Sequence, residues 1–218
     1  MRKEIEITIP TSWSDVTLRK YLDLQKDIQS YEDNEEAQTA FTIYHLCGID
    51  AKALRRLSAE SYNVIREKLE NFIGNTEHEL KRIITIDGIE YGFEPNLSKI
   101  SYGAYADITK YKTITIDENW CDIMSILYRP INKKQGENYS IQAYDGTGNA
   151  ELFKDLSMDI HFGALFFFVH LSTDLLNSTL NFTMATMKGL PPNFTQTLRT
   201  SGELTQRLLN LQTETSKK

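Results

Sequence analysis

The amino-acid sequence predicts a helix-dominated α+β fold with a small antiparallel sheet. Three observations carry that expectation. Asp87-Gly88 stands between two apolar-rich runs, Leu80–Ile86 and Ile89–Phe93, and such a pair is a strong hairpin signal because a type I′ turn needs positive φ at both central residues. Residues 4–9 alternate, with Ile5, Ile7 and Ile9 on one side and Glu4, Glu6 and Thr8 on the other, the pattern of a half-buried strand. Elsewhere apolar residues recur at helical spacing behind capping residues. The hairpin, residues 82–93, sets Ile86 opposite Ile89 and Ile84 opposite Tyr91, and leaves Thr85 and Glu90 on the wetter face. Two strands alone are marginal in water. The strand at 4–9 is therefore the natural third member.

Taken in order, Pro10 ends the first strand, and Ser14 is the expected N-cap of a helix carrying Leu18, Tyr21, Leu22 and Ile28. An acidic link over residues 29 to 36 leads to a second helix with Ala37, Phe41 and Tyr44 on its apolar stripe and Gly48 just past its end. Asp50 caps a short helix with Leu54 and Leu57. Ser58 opens another, with Tyr62, Ile65, Leu69 and Phe72 inward and Gly74 as its stop. After the hairpin, Ser98 to Tyr111 suggests a short helix of small and aromatic residues. Asp117 should cap the next, with Trp120, Ile123, Met124 and Leu127 inward, stopped before Pro130.

Residues 131 to 149, rich in Gly, Asn and Lys, look like a long loop. The pattern then turns helical and strongly apolar from Ala150 to about Met187, with Phe162–Leu171 a buried core helix to which Phe166 and Phe167 belong. Pro191-Pro192 breaks the chain. Thr200-Ser-Gly-Glu203 has the spacing of a capping box, and Leu204, Leu208 and Leu211 follow at i, i+4, i+7. The organisation expected is one helix-rich domain over 1–190 around the central hairpin, with a C-terminal extension over 191–218 carrying a short amphipathic helix.

A net charge of −6 argues against a chain whose main work is gripping phosphates. Cys47 and Cys121 are far apart and sit in apolar helical patterns, as reduced core thiols do. The charged, alternating N-terminus has no apolar signal-peptide core. Both point to folding in a reducing cytosol. The longest apolar run is closed by Asp159 and Asp174, well short of the roughly 20 residues that a membrane span needs.

Chemical motifs fall short one by one. Asp145-Gly-Thr-Gly-Asn149 has glycines ahead of a helix, but neither a Lys-Ser/Thr pair nor GxGxxG spacing, so a surface turn is expected. His161 with Asp159, and His170 with Asp174, offer two ligands each where a metal site normally assembles three or four. His45 and Cys47 do not face each other along a helix. No catalytic residue, metal site or cofactor is predicted. That leaves partner binding, for which the candidates are Lys133 and Lys134 in the 131–149 loop and the stripe Leu204, Leu208 and Leu211.

Several stretches carry a resemblance. They are Ile9-Pro-Thr-Ser-Trp13 with Thr17-Leu-Arg-Lys-Tyr-Leu22, Leu46-Cys-Gly-Ile-Asp50 with Leu54 and Leu57, the hairpin running into Ser101-Tyr-Gly-Ala-Tyr-Ala-Asp107, and Trp120 to Pro130. In this order, over roughly residues 5 to 190, the chain resembles proteins encoded among the tail and neck genes of tailed bacteriophages, including crAss-like phages. It is also similar to the baseplate-hub assembly family of contractile-tailed phages. The resemblance implies a non-enzymatic virion component at the portal–tail axis (neck ring, tail hub or baseplate), made in the host cytoplasm. Its implied partners are other phage structural proteins and copies of itself in a ring, with no small-molecule substrate, nucleic acid or membrane. Two alternatives compete: a tail or baseplate assembly chaperone absent from the finished particle, and an enzyme whose site is assembled from distant residues.

Overall fold

The computed structural model describes residues 7–74, 78–111 and 114–170. Helices and one antiparallel sheet share a single hydrophobic cluster, an α+β arrangement. A 3₁₀ turn at Trp13–Asp15 opens the described chain, capped by Ser12, with the Asp15 carboxylate accepting from the Thr11 and Ser12 amides. Helix α1 (Leu18–Ser30) follows, and its cap is Thr17 rather than the expected Ser14. Ser14 lies inside the turn, at its middle position.

Helix α2 (Glu35–Cys47) is capped by Asn34 and closed by Gly48 in the left-handed conformation, φ 70°, where a Cβ would be strained. Asp50 and Ser58 cap α3 (Ala51–Leu54) and α4 (Ala59–Ile73), as their side-chain spacing suggests. Ile65, Leu69 and Phe72 of α4 are buried. In α2 the expected stripe is not the buried one: Ile43 and Leu46 face the core and Tyr44 is exposed.

The hairpin forms where the turn chemistry places it. Strands β1 (Ile83–Ile86) and β2 (Ile89–Phe93) pair with Ile86 opposite Ile89 and Ile84 opposite Tyr91. Asp87 and Gly88 take φ of 49° and 79°, the positive values a type I′ turn requires. Ile84 and Ile86 are buried while Thr85 and Glu90 are exposed.

The third strand, beside β2, comes from later in the chain. Residues 7 to 9 form no strand and 4 to 6 lie outside the described residues. Instead α5 (Tyr102–Thr109) and α6 (Trp120–Leu127) lead into β3 (Tyr128–Gln135), which pairs with β2 and then with β4 (Asn138–Ile141), in the order β1-β2-β3-β4. Residues 131 to 149 are thus a second hairpin for half their length rather than a loop. Gly136, φ 61°, starts its two-residue turn, and a register shift between Ile131 and Lys133 bends β3. Tyr139 of β4 folds across Gly92 of β2, where a Cβ would overlap its ring. Its hydroxyl donates to the Phe93 carbonyl at 2.7 Å.

Residues 158 to 170 are helical, α7. A backbone strap joins its start to the start of α1: the Met158 amide donates to the Val16 carbonyl at 2.7 Å, and the Leu18 and Arg19 amides donate to the Leu156 and Lys154 carbonyls at 3.0 and 2.9 Å. Gly163 lets α7 press against the Glu79 carbonyl. Phe162, Phe167 and Phe168 pack on the core cluster, and Phe166 stacks on His78. All four are half-buried, so this run is the flank of the core rather than its centre. Leu171 lies outside the described residues.

Candidate partner-binding surfaces

Most of the candidate chemical residues are held in structural roles. His161 is fully buried between α6 and the 3₁₀ turn Ala150–Phe153. The Trp120 indole N–H donates to its Nδ1 at 3.0 Å, so its own proton sits on Nε2 and goes to the Phe153 carbonyl, also at 3.0 Å. Burial pushes its pKa down to about 4, which keeps the ring neutral at pH 7. Asp159 pairs with Lys81 instead. His45 reaches Asp27 of α1 at 2.7 Å, tying α2 to α1 and leaving Cys47 aside. His170 is exposed, and its partner in the sequence pattern, Asp174, lies outside the described residues.

Burial raises the thiols of Cys47 and Cys121 to about 11, so neither is a thiolate at neutral pH. The Asp145–Asn149 segment closes on itself: Asp145 accepts from the Thr147 amide at 2.9 Å and from its hydroxyl at 2.6 Å. The element after it is a four-residue 3₁₀ turn, with no α-helix start to hold an anion. Among the described residues no group of three or more His, Cys, Asp or Glu could hold a metal ion, and no helix is long and apolar enough to cross a membrane.

Of the expected partner-binding residues, Lys133 and Lys134 lie at the far end of β3, both exposed. They are neighbours on a strand and point to opposite faces. Lys134 is engaged by Glu90 of β2 at 2.6 Å, while Lys133 makes no ion pair among the described residues. Leu204, Leu208 and Leu211 lie outside the described residues.

Sequence reasoning passed over a tyrosine-rich corner on α5. Ser101 caps this helix and Ala104 buries completely. That orientation leaves Tyr102 84% and Tyr105 44% exposed. Behind them the Tyr144 hydroxyl donates to Asp107 at 2.6 Å and the Tyr111 hydroxyl to Asp122 at 2.9 Å. Burial first, and the carboxylate second, push both phenols up to about 12, so they remain proton donors that brace the corner. The signal in the sequence was the small pair Gly103-Ala104 flanked by tyrosines: the small residues allow close packing inward and the rings are left for the outside. Such rings supply contact area at interfaces.

Comparison with family models, with curated proteins and with solved structures finds no match to this chain.

Proposed function

We propose that the protein is a non-enzymatic structural component of a tailed-phage particle, working at the portal–tail axis among other phage proteins and copies of itself. One observation carries this reading beyond the resemblance itself. Of the aromatic residues in the resembling stretches, Trp13, Phe93, Trp120 and Tyr128 are buried and Tyr21 and Tyr91 half-buried, while Tyr102 and Tyr105 are exposed. A stretch that puts two adjacent rings into solvent on a braced helix suits a contact with another protein. His161 and both thiols are neutral at pH 7 and His45 and Asp159 are engaged in structural pairs, which supports a binding rather than a catalytic role.

The test is mass spectrometry of purified particles from the phage that encodes the chain. A structural subunit is found at stoichiometric copy number and is lost, with particle infectivity, when its gene is deleted. A chain needed for assembly but absent from finished particles is a chaperone, and that result replaces the reading. Tyr102→Ser with Tyr105→Ser should leave the chain folded and remove it from particles. Unimpaired incorporation of that double variant shows that α5 is not the contact.

A further inference from the structure

The strongest uncommitted surface is the outward side of α2, and it goes beyond any position in a particle. Ala37, Phe41 and Tyr44 fall on one stripe of this helix, opposite the buried Ile43 and Leu46. Tyr44 is 49% exposed, and Tyr31, 46% exposed, lies against the half-buried Phe41 with ring centroids 5.1 Å apart. Phe41 also packs on the core cluster, so the part of the stripe left to solvent is the aromatic edge formed by Tyr44 and Tyr31.

The two ends of that face carry opposite charge. At the N-terminal end Glu32, Asp33, Glu35 and Glu36 are all exposed. Just past the C-terminal end, Lys52, Arg55 and Arg56 are exposed as well. None of these seven joins an ion pair among the described residues, although Arg19, Arg66, Lys81, Arg129 and Lys134 all do. A 13-residue helix separates the two groups by about 20 Å.

We infer that this face binds a second copy of the chain, with the two α2 helices antiparallel. In that orientation the stripe meets itself across a two-fold axis, and the acidic end of each copy meets the basic end of the other. A parallel arrangement would set like charges together at both ends. Such an isologous contact needs no further element, since one patch supplies both halves. The opposed helix dipoles also favour it.

The test is sedimentation of the full-length chain with two charge-reversal variants, Glu35→Lys with Glu36→Lys and Arg55→Glu with Arg56→Glu. The wild-type chain is expected to dimerise at micromolar concentration and to dissociate as salt rises. Each variant alone should weaken self-association by about tenfold or more, the factor that 1.4 kcal/mol represents. An equimolar mixture of the two should recover a heterodimer, because both of its end contacts are then complementary. Tyr44→Glu, a neutral-to-charged change in the middle of the stripe, should abolish the dimer while leaving the circular dichroism spectrum intact. A wild-type monomer overturns the inference, and so does a dimer indifferent to both reversals. A monomer that dimerises only after residues 200–218 are removed overturns it too, since the chain's own C-terminal segment then occupies the face.

Discussion

Helices α6 and α2 show how differently one chain uses two apolar segments. α6 buries seven of its eight residues, all but Asp122. α2 buries only Ile43 and Leu46 of thirteen. Composition inclines them apart, since α6 is apolar at six of its eight positions and α2 opens on Glu35-Glu36 and carries Gln38, Thr39 and Thr42. Enclosure completes the difference. α6 runs directly into β3, is covered by the Ala150–Phe153 turn and α7, and receives the 142–149 segment through Gly148, where a Cβ would overlap Ser125. α2 rests chiefly on α1. The first helix therefore holds the fold, and the second offers surface. The difference can be measured.

The largest effect is expected at the centre of the enclosed helix. Trp120 is fully buried and its indole satisfies His161. Trp120→Ala should cost about 3–5 kcal/mol in denaturant unfolding, the range for large-to-small aromatic changes in cores. A loss below about 1 kcal/mol, the size of an ordinary surface change, would mean that α6 is not the keystone described.

The histidine of α7 that Trp120 meets should give the fold a pH limit. Burial depresses the His161 pKa from an ordinary 6.5 to about 4, so the unfolded state takes up the proton more readily than the folded one. Stability from this group is complete above pH 6.5 and is lost as pH falls from there toward 4. A gap of that size corresponds to roughly 3 kcal/mol. Thermal unfolding followed across this window should fall steeply for the wild-type chain and less for His161→Gln. Parallel curves would assign the acid sensitivity elsewhere.

A smaller effect is expected where the sheet is bridged. Gly92 lies beneath the Tyr139 ring and beside Ile141. Gly92→Ala forces Tyr139 off its hydrogen bonds to the Arg82 and Phe93 carbonyls and should cost about 1–3 kcal/mol, as overpacking does. Gly92→Ala with Tyr139→Ala should recover part of the loss. If the pair instead behaves additively, the two strands are not coupled through this contact.

How far these regions were legible beforehand follows the range of the interactions. The first hairpin was legible because Asp87-Gly88 is a local instruction. The second was not. Its turn, Gly136-Glu137, has the Gly-X form of a type II′ turn, but Asn132, Lys133, Lys134 and Gln135 on its flank are polar and hide the alternation on which strand recognition depends. In α2 both the stripe Ala37, Phe41, Tyr44 and the pair Ile43, Leu46 fit a helical period, and only the tertiary packing that puts Ile43 and Leu46 in the core cluster selects the inner one. The Tyr144–Asp107 bond spans 37 residues and the Trp120–His161 bond 41. Neither spacing carries a local signature. For His161 the sequence offered only an incomplete ligand pair with Asp159, and its two hydrogen-bond partners came from elements that the sequence could not place beside it.

The smallest effect is expected on the outward side of α2, and it is the sharpest test of the contrast. Tyr44 stands half in solvent, in ring contact with its neighbour His45. Tyr44→Ser keeps the helix and leaves the His45–Asp27 link in place, since that pair uses the imidazole Nε2. Surface substitutions of this sort stay within about 0.5 kcal/mol. Unfolding at protein concentrations low enough to prevent self-association should therefore be unchanged, whereas Leu46→Ala, two residues on and buried, should lose about 2–5 kcal/mol. The ratio between the two substitutions measures which side of α2 faces inward. Equal losses would mean that Tyr44 is packed within the monomer, and the free face assigned to α2 would then not exist.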